Sequence, residues 1–296
     1  MNGLVEVGGE LGKAVNKLRE SAIRQKGKVA TRTRAPLGSV QLPLWPEDVR
    51  GLPNPLARSA LFTVGNRNQP RLMIKNKLIA CASGVKILYQ GEELRQEDED
   101  AFLQILHISR HHQLGDPVEL TAHAVLTDLG WGRSSRMYTR LKETLLRLSA
   151  TALTVSSESE DRGFSGSLIR KFAWQGEDGN TMKRWLVWLE PELISLFGQD
   201  MYTQIYWEQR LALSSPLARW LHGYYYTHRE PFPLKVKTLH FLCGSRAKAM
   251  SDFKHQLLIA LDGLVTVGFL SDWELEQRSG LIKVVRRPPP RSLTLL

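Results

Sequence analysis

Three stretches of this 296-residue chain contain residue types that could carry out chemistry. GGELGKAV (8–15) is similar to a phosphate-binding loop, but it has one residue too few between its glycines, and Ala14 stands where a Ser or Thr would hold magnesium. GYYYTH (223–228) could supply a tyrosine nucleophile for DNA nicking, but the sequence lacks the His-apolar-His triplet that would hold the metal for this reaction. GFSGS (163–167) lacks the closing glycine of a nucleophile elbow. The sequence therefore predicts no enzymatic activity and no cofactor.

The candidate metal ligands are poorly arranged as well. His111 and His112 are neighbours on a predicted helix and point about 100° apart, so they cannot easily share a metal ion. Cys81 and Cys243 lie far apart without a CxxC partner, which argues against a zinc site and fits a reducing cytoplasm. No apolar run approaches the roughly 18 residues of a membrane helix, and the N-terminus lacks a signal-peptide pattern. We therefore expect a cytoplasmic protein with no metal site and no membrane partner.

The charge of the chain points to a different kind of ligand. Forty Lys and Arg against thirty Asp and Glu give a net charge of +10, which suggests a polyanionic partner or simply serves solubility. Residues 1–40 hold eight Lys and Arg against three Glu, and residues 281–296 hold four Lys and Arg with no acid. Such ends either contact phosphates or act as unstructured solubilising tails. The acidic stretch GEELRQEDED (91–100) is expected to face solvent.

The elements that must position these charges follow one order, which occurs twice. The first copy has a helix in 98–113, the short strand PVEL (117–120), a helix capped by Thr121, a basic helix capped by Ser134 or Ser135, and a hairpin of strands. The second copy has a Ser-capped helix in 214–228, a shorter helix ending at Gly244, a third helix, and a hairpin that turns near Gly280. This order is typical of a winged helix-turn-helix.

The third helix of each copy has an apolar stripe and an opposite polar face, as a recognition helix requires. The stripes are Met137, Leu141, Leu145, Leu148 and Ala152 in the first helix, and Met250, Phe253, Leu257, Leu261 and Leu264 in the second. The residues predicted to bind DNA are Arg133, Ser135, Arg136, Thr139, Arg140, Lys142 and Arg147 in the first copy, and Arg246, Lys248, Ser251, Lys254 and His255 in the second. Among them Arg136 and Thr139 are expected to reach base edges, and Lys142 and Arg147 to contact phosphates. An ordinary amphipathic surface helix would look similar, but two matching copies favour DNA.

Several collinear stretches resemble the TrfA family of plasmid replication initiators. They include LPNPLARSALFTVGNRNQPR (52–71), LTDLGW (126–131), YTRLKETLLRLSATAL (138–153) and the long segment 205–245, so the similarity covers roughly residues 41 to 275. The resemblance implies two winged-helix domains that bind double-stranded iteron repeats at a plasmid origin. It also implies opening of an AT-rich region with the host initiator DnaA, contact with the opened single strand, loading of the host replicative helicase, and an inactive dimer beside an active monomer.

The resemblance also suggests a role for QLPLW (41–45). The family carries, just before its first winged helix, a similar pentapeptide that binds the bacterial DNA polymerase III sliding clamp. By this comparison Gln41, Leu42, Leu44 and Trp45 would be the clamp-binding residues, with Leu44 and Trp45 entering an apolar cleft. Pro43 and Trp45 depart from the family pattern, and Pro43 would hold the peptide extended. The alternative is a strand that packs into the core of the first domain.

The sequence thus predicts an α+β protein with tandem winged-helix domains. The expected organisation is a disordered basic arm (1–40), a clamp-binding peptide and linker (41–50), a first domain (51–203), a second domain (204–287) and a tail (288–296). Two other classes remain open. A transcription repressor with two DNA-reading modules would explain the helices but not QLPLW, and a scaffolding protein would use its basic tails without sequence specificity.

Overall fold

The computed structural model describes residues 40–82, 84–157, 163–175 and 181–288. The predicted basic arm other than Val40, the GGELGKAV stretch and the predicted tail beyond Pro288 lie outside the described residues. Residues from Val40 onward group into one unit.

The helices and strands of this unit follow each other in mixed order. The helices are α1 (Asn54–Ala57), α2 (Gln96–Ser109), α3 (Ala122–Asp128), α4 (Ser135–Ser149), a 3-10 helix (Pro191–Phe197), α5 (Trp207–Leu211), α6 (Pro216–Tyr226), α7 (Val236–Leu242) and α8 (Met250–Thr266). The strands are β1 (Val49–Pro53), β2 (Phe62–Thr63), β3 (Met73–Ile79), β4 (Val85–Glu92), β5 (Leu94–Arg95), β6 (Val118–Leu120), β7 (Ala152–Ser157), β8 (Gly163–Gly166), β9 (Lys171–Gln175), β10 (Thr181–Trp188), β11 (Tyr202–Tyr206), β12 (Leu234–Lys235), β13 (Leu270–Glu276) and β14 (Leu281–Arg286).

The repeated order expected from the sequence is present as a repeated topology. In the first copy α2, β6, α3 and α4 precede the strands β9 and β10, and the sheet order is β6-β10-β9. In the second copy α6, β12, α7 and α8 precede the hairpin β13–β14, and the sheet order is β12-β14-β13. Each copy therefore has three helices and an antiparallel sheet in which the first strand pairs with the last.

The predicted cap positions of α3, α4 and α6 are confirmed, whereas α2 begins at Gln96, two residues before the predicted start. The Thr121 hydroxyl accepts a hydrogen bond from the Ala124 amide at 3.2 Å, and the Ser215 hydroxyl accepts one from the Ala218 amide at 3.0 Å. Ser134 is the N-cap residue of α4. The Thr121 and Ser215 hydroxyls satisfy amides that have no partner within their helices, which helps to fix where these two helices begin, whereas the Ser134 side chain makes no such bond.

Two further sheets connect the copies and extend the first. β3, β4, β7 and β8 form a four-stranded sheet in that order. β1 pairs with β11 along its whole length, from Val49 opposite Tyr206 to Pro53 opposite Tyr202. The predicted boundary between 51–203 and 204–287 falls inside β11, and the pairing with β1 therefore runs across it.

The two apolar stripes are mostly buried: Met137 is half-buried, and one residue in each stripe is exposed. The buried residues of α4 are Leu141, Thr144, Leu145 and Leu148, and those of α8 are Phe253, Leu257, Ala260, Leu261 and Leu264. Met250 is exposed because it is the first residue of α8, and Ala152 is exposed because α4 ends before it and β7 begins there. The stripe prediction was wrong for these two residues since both lie at or beyond a helix end.

QLPLW lies against the C-terminal part of α2. Trp45 is 3% exposed, stacks on Phe197 with ring centroids 5.9 Å apart, and donates from Nε1 to His107 Nδ1 at 3.0 Å. Leu42 is buried as well, and only Leu44, at 62%, is well exposed among the apolar residues. The expectation that Trp45 is free for a partner's cleft is therefore wrong for this conformation. A short apolar pattern cannot tell a peptide ligand from a piece of the protein's own core.

The acidic stretch 91–100 was also predicted wrongly. Asp98 and Asp100 are completely buried, and Glu93 and Glu99 are buried too. Asp98, Glu99 and Asp100 lie near the start of α2, whose buried apolar residues surround the helix axis: Ala101, Phe102, Leu103, Ile105 and Leu106. A helix that is apolar on all sides is enclosed by protein, so its carboxylates must find cations inside the fold.

Tyr224, Tyr225 and Tyr226 are buried in the core of the second copy. In the described part of the chain, no helix combines the length and the apolar character that crossing a bilayer requires.

Candidate nucleic-acid interface

The N-terminal half of α4 has a solvent-exposed polar face. Arg133, just before the helix, and Ser135 and Arg136, its first two residues, are exposed, and so is Thr139 one turn further on. Leu141, Leu145 and Leu148 fix the opposite face in the core, so the exposed side chains have a defined direction. Guanidinium and hydroxyl groups in this position can donate to guanine acceptors and to phosphate oxygens.

Lys142 is held at the edge of this face. Its ammonium lies 4.3 Å from the ring centroid of Trp174 on β9, which is a cation–π distance. Since β9 belongs to the hairpin of the same copy, Lys142 connects α4 with that hairpin. It is partly exposed and keeps donors free for a phosphate.

Arg140 and Arg147, by contrast, turn inward. Arg147 donates from Nη1 to Asp98 Oδ1 at 2.6 Å and from Nε to Glu92 Oε2 at 3.0 Å. Arg140 pairs with Glu97, and its guanidinium lies 4.1 Å from the ring centroid of Trp131. The side chain of Arg147 is only 11% exposed, and that of Arg140 only 18%. The prediction that both contact DNA was wrong for this structure, because their guanidinium groups are paired with carboxylates inside the fold.

These carboxylates form an acidic cluster, defined here as Glu93, Glu97, Asp98, Glu99 and Asp100. Arginines from separate parts of the chain surround it: Arg67, Arg71, Arg95, Arg140, Arg147, Arg210, Arg219 and Arg246. Burial opposes ionisation of Glu97, yet the guanidinium groups of Arg140, Arg71 and Arg67 hold the pKa of its carboxyl below the ordinary value. The arginines therefore neutralise the carboxylates of the acidic cluster, and the ion pairs of Arg140 and Arg147 hold α4 against α2.

The second candidate helix, α8, has a similar exposed start. Lys248, Ser251 and His255 are exposed, and Lys254 donates to Gln277 Oε1 at 3.3 Å, near the turn of the β13–β14 hairpin. Phe253, Leu257 and Leu261 hold the other face in the core. Like α4, α8 thus has a buried apolar face and an exposed polar face near its start, but with fewer arginines.

Arg246 takes a different position from the one predicted. Its Nη2 donates to the Pro70 carbonyl at 3.0 Å and to Gln69 Oε1 at 3.2 Å, and lies 3.6 Å from Glu93 Oε2. The side chain therefore joins the start of α8 to the first copy. The expectation that Arg246 binds DNA is corrected for its Nη2 group, which has acceptors within the protein.

The two copies are joined through Asp100. Its carboxylate accepts from Arg210 Nε at 2.6 Å and from Arg219 Nη1 at 2.5 Å, both in the second copy. Arg210 is fully buried and also donates to Glu99 at 2.9 Å. Trp220 of α6 donates from Nε1 to the Ser59 carbonyl at 3.0 Å. The exposed faces of α4 and α8 are therefore parts of one body.

Comparison with known proteins decides the family. The model of the family described as "TrfA protein" matches residues 5–277. The chain belongs to the TrfA family. The Plasmid replication initiator protein TrfA of Escherichia coli is 34% identical over 277 residues, which is 90% of this chain and 70% of that protein.

The fold of this TrfA-family chain is also similar to that of solved structures. A crystal structure of domains 2 and 3 of RctB superimposes with a TM-score of 0.52 at 12% identity, covering 76% of this chain and 94% of that one. A second crystal structure of the same two domains gives 0.51, again at 12% identity, with coverages of 77% and 95%. At this identity the likeness concerns the fold alone.

Sequence reasoning missed the arginines that surround the acidic cluster of this TrfA-family chain, most of all Arg71, Arg210 and Arg219. The signal was available in α2, where the acidic run 97–100 leads directly into apolar residues on all sides of the helix. Such a pattern predicts buried carboxylates and therefore requires distant cations. It does not reveal which arginines supply them.

Proposed function

We propose that this protein initiates plasmid replication by binding direct repeats (iterons) of double-stranded DNA, with α4 and α8 as the recognition helices of two winged helices. Membership of the TrfA family supports the proposal, as does the name of its Escherichia coli relative. The repeated helix and sheet order supports the winged-helix assignment.

The observation that carries the proposal is that α4 and α8 have the same arrangement of a buried apolar face and an exposed polar face. Each helix buries one apolar face and has, at its N-terminal end, exposed side chains that donate hydrogen bonds: Arg136 and Thr139 in α4, and Lys248 just before α8 and Ser251 in it. The N-terminal residues of a recognition helix are the ones that enter the major groove. Because Asp100 joins the copies internally, both helices can meet one duplex at a fixed separation.

Footprinting on the DNA that flanks the gene tests this function. We expect protection of several direct repeats at helical-turn spacing, and loss of that protection in an Arg136→Ala, Lys248→Ala double variant. Protection of a single palindrome would favour a transcription repressor instead. Absence of any discrete footprint at physiological salt would favour a scaffolding role and would overturn the proposal.

We extend the proposal to the later steps of initiation that the family resemblance implies. These are opening of an AT-rich region together with DnaA, contact with the exposed single strand, and loading of the host helicase, all in the cytoplasm. The protein itself is proposed to have no ATPase and no nickase activity. ATP hydrolysis by the purified protein above a buffer control would contradict this part.

We also propose that the protein binds a sliding clamp through QLPLW and that it self-associates. QLPLW can reach a sliding clamp only when Trp45 leaves its site between His107, Phe197 and Tyr202. A dimer that is inactive in iteron binding is expected from the family resemblance, and a concentration series by analytical ultracentrifugation tests it. One unchanging mass from nanomolar to high micromolar protein would contradict the dimer.

A further inference from the structure

Residues 66–70, called here the 66–70 loop, lie beside the N-terminal half of α4. Arg67 Nε is 3.3 Å from Glu97 Oε2, and the guanidinium of Arg140, in the second turn of α4, binds the same carboxylate. Glu97 therefore lies between the loop and the helix that exposes Arg136 and Thr139.

The same loop also contacts the segment that leads into α8. Arg246, four residues before the first residue of α8, donates to Gln69 Oε1 and to the Pro70 carbonyl. Two concavities of about 300 and 420 Å³ flank the loop, and both include Asn66 and Pro216 in their linings. The loop is thus placed between the starts of the two candidate recognition helices.

The loop backbone is fixed although its side chains are exposed. Arg95 donates to the carbonyls of Asn66 and Gln69, at 2.5 and 2.8 Å, and its guanidinium is buried beside Glu93. The Asn68 amide donates to Asn66 Oδ1 at 3.0 Å. The Arg67 side chain, in contrast, is 74% exposed, and Asn68 is exposed as well. A rigid backbone with free donors at its tip is well suited to contact a ligand, because little order has to be created on binding.

We propose that the 66–70 loop binds the sugar–phosphate backbone of the duplex between the two major-groove segments that α4 and α8 occupy. The inference rests on the proposed DNA-binding function. Two recognition helices on one face of B-form DNA are separated by about one helical turn, roughly 34 Å, and the intervening stretch presents a minor groove lined by phosphates. A loop held between the starts of both helices faces that stretch. Arg67 supplies the cation and Asn68 an amide donor.

The contact is independent of base sequence. Phosphate contacts fix the register of a protein on DNA without reading bases, and each neutralised phosphate contributes about 0.9 to the salt slope of binding. For Arg67→Ala we expect a five- to tenfold weaker affinity at about 0.1 M salt, equal for cognate and non-cognate duplexes, and a salt slope lower by about one. Arg67→Lys keeps the charge and should retain most of the affinity.

The matched control is Arg170→Ala. Arg170 is another exposed arginine beside a glutamate, with Nε 3.9 Å from Glu190 Oε2 and a side chain 55% exposed, but it lies at the start of β9 beside the C-terminal end of α4. Its affinity and salt slope should equal those of the wild type. The melting temperature of each variant, measured alongside, shows whether the fold is retained.

The outcomes separate this inference from the function on which it rests. If the wild type binds repeats, Arg136→Ala weakens that binding, and a folded Arg67→Ala variant keeps the wild-type affinity and salt slope, the loop contact is wrong and the function stands. If the wild type protects no repeat, the proposed function fails first. Methylphosphonate substitution of the phosphates between the two major-groove segments should weaken the wild type but not Arg67→Ala, and an equal loss in both would overturn the inference.

Discussion

Trp45 is buried and its neighbour Leu44 is exposed, so single substitutions of the two residues should have different effects on stability. Trp45→Ala removes a buried indole together with its stacking on Phe197 and its hydrogen bond to His107, so we expect a loss of about 3–5 kcal/mol in the free energy of unfolding. Leu44→Ala changes an exposed side chain and should stay within about 0.5 kcal/mol of the wild type. Chemical denaturation of both variants measures the difference. Equal stabilities would mean that QLPLW does not dock in solution.

The hydrogen bond of Trp45 also predicts a pH dependence. His107 Nδ1 accepts from Trp45, so the ring is neutral, and burial together with the nearby Arg50 and Arg110 lowers the pKa of His107 to about 4, against the opposing effect of Glu47. Because the unfolded chain takes up this proton near pH 6.5, the stabilising effect is complete above that pH and is lost as the pH falls towards 4.

Its size is on the order of 3 kcal/mol at most. Urea unfolding at pH 7 and pH 5 should therefore show a smaller pH-dependent loss of stability in His107→Gln than in the wild type. Comparing the two proteins removes the contribution of His222, whose pKa burial also lowers. An identical pH dependence in both would mean that His107 is not buried as a neutral ring.

At the scale of the element, we expect the start of α4 to contribute to DNA binding and its C-terminal half to contribute to the stability of the fold. Arg136→Ala removes an exposed guanidinium, so we expect a loss of about 1–3 kcal/mol in specific DNA binding with an unchanged melting temperature. Arg147→Ala leaves the buried Asp98 carboxylate with one arginine fewer, which should cost up to about 3–5 kcal/mol of stability and leave the DNA affinity of the folded protein unchanged. Gel-shift and thermal-melt measurements on both variants test this. A DNA-binding loss confined to Arg147→Ala would reverse the assignment.

The same helix shows what a sequence can predict. Its N-cap position and its buried leucines follow from capping preference and 3.6-residue periodicity, which are local. The orientation of the Arg140 and Arg147 side chains cannot be predicted in this way. Both residues lie at the edges of the polar face, where a guanidinium can point either to solvent or into the protein. The inward orientation of these two side chains depends on Glu97 and Asp98, which lie some forty to fifty residues earlier in the chain. Long-range ion pairs leave no periodic pattern, so they were found only in the folded structure.

At the scale of the whole molecule, the two copies should unfold together. Asp100 accepts from Arg210 and Arg219, and β1 pairs with β11 across the predicted boundary, so neither copy has a separate core. We expect one calorimetric transition for the wild type, and a lower, broader or split transition for Asp100→Asn, which removes the buried charge that both arginines face. Glu119→Gln, which alters only an exposed pair with Arg184, serves as the control. Two separate wild-type transitions would show that the copies are independent.

The pairing of β1 with β11 also has a consequence for synthesis on the ribosome. Val49 has its strand partner at Tyr206, and Trp45 its aromatic neighbours at Phe197 and Tyr202. At about 5–20 residues per second, the nascent chain needs roughly 10–30 s to produce those partners after residues 41–53 are made. During that interval QLPLW leaves the exit tunnel with its leucines and tryptophan uncovered. Whatever nascent-chain factor or clamp protein recognises this peptide would meet it most readily then, before the protein that carries it is complete.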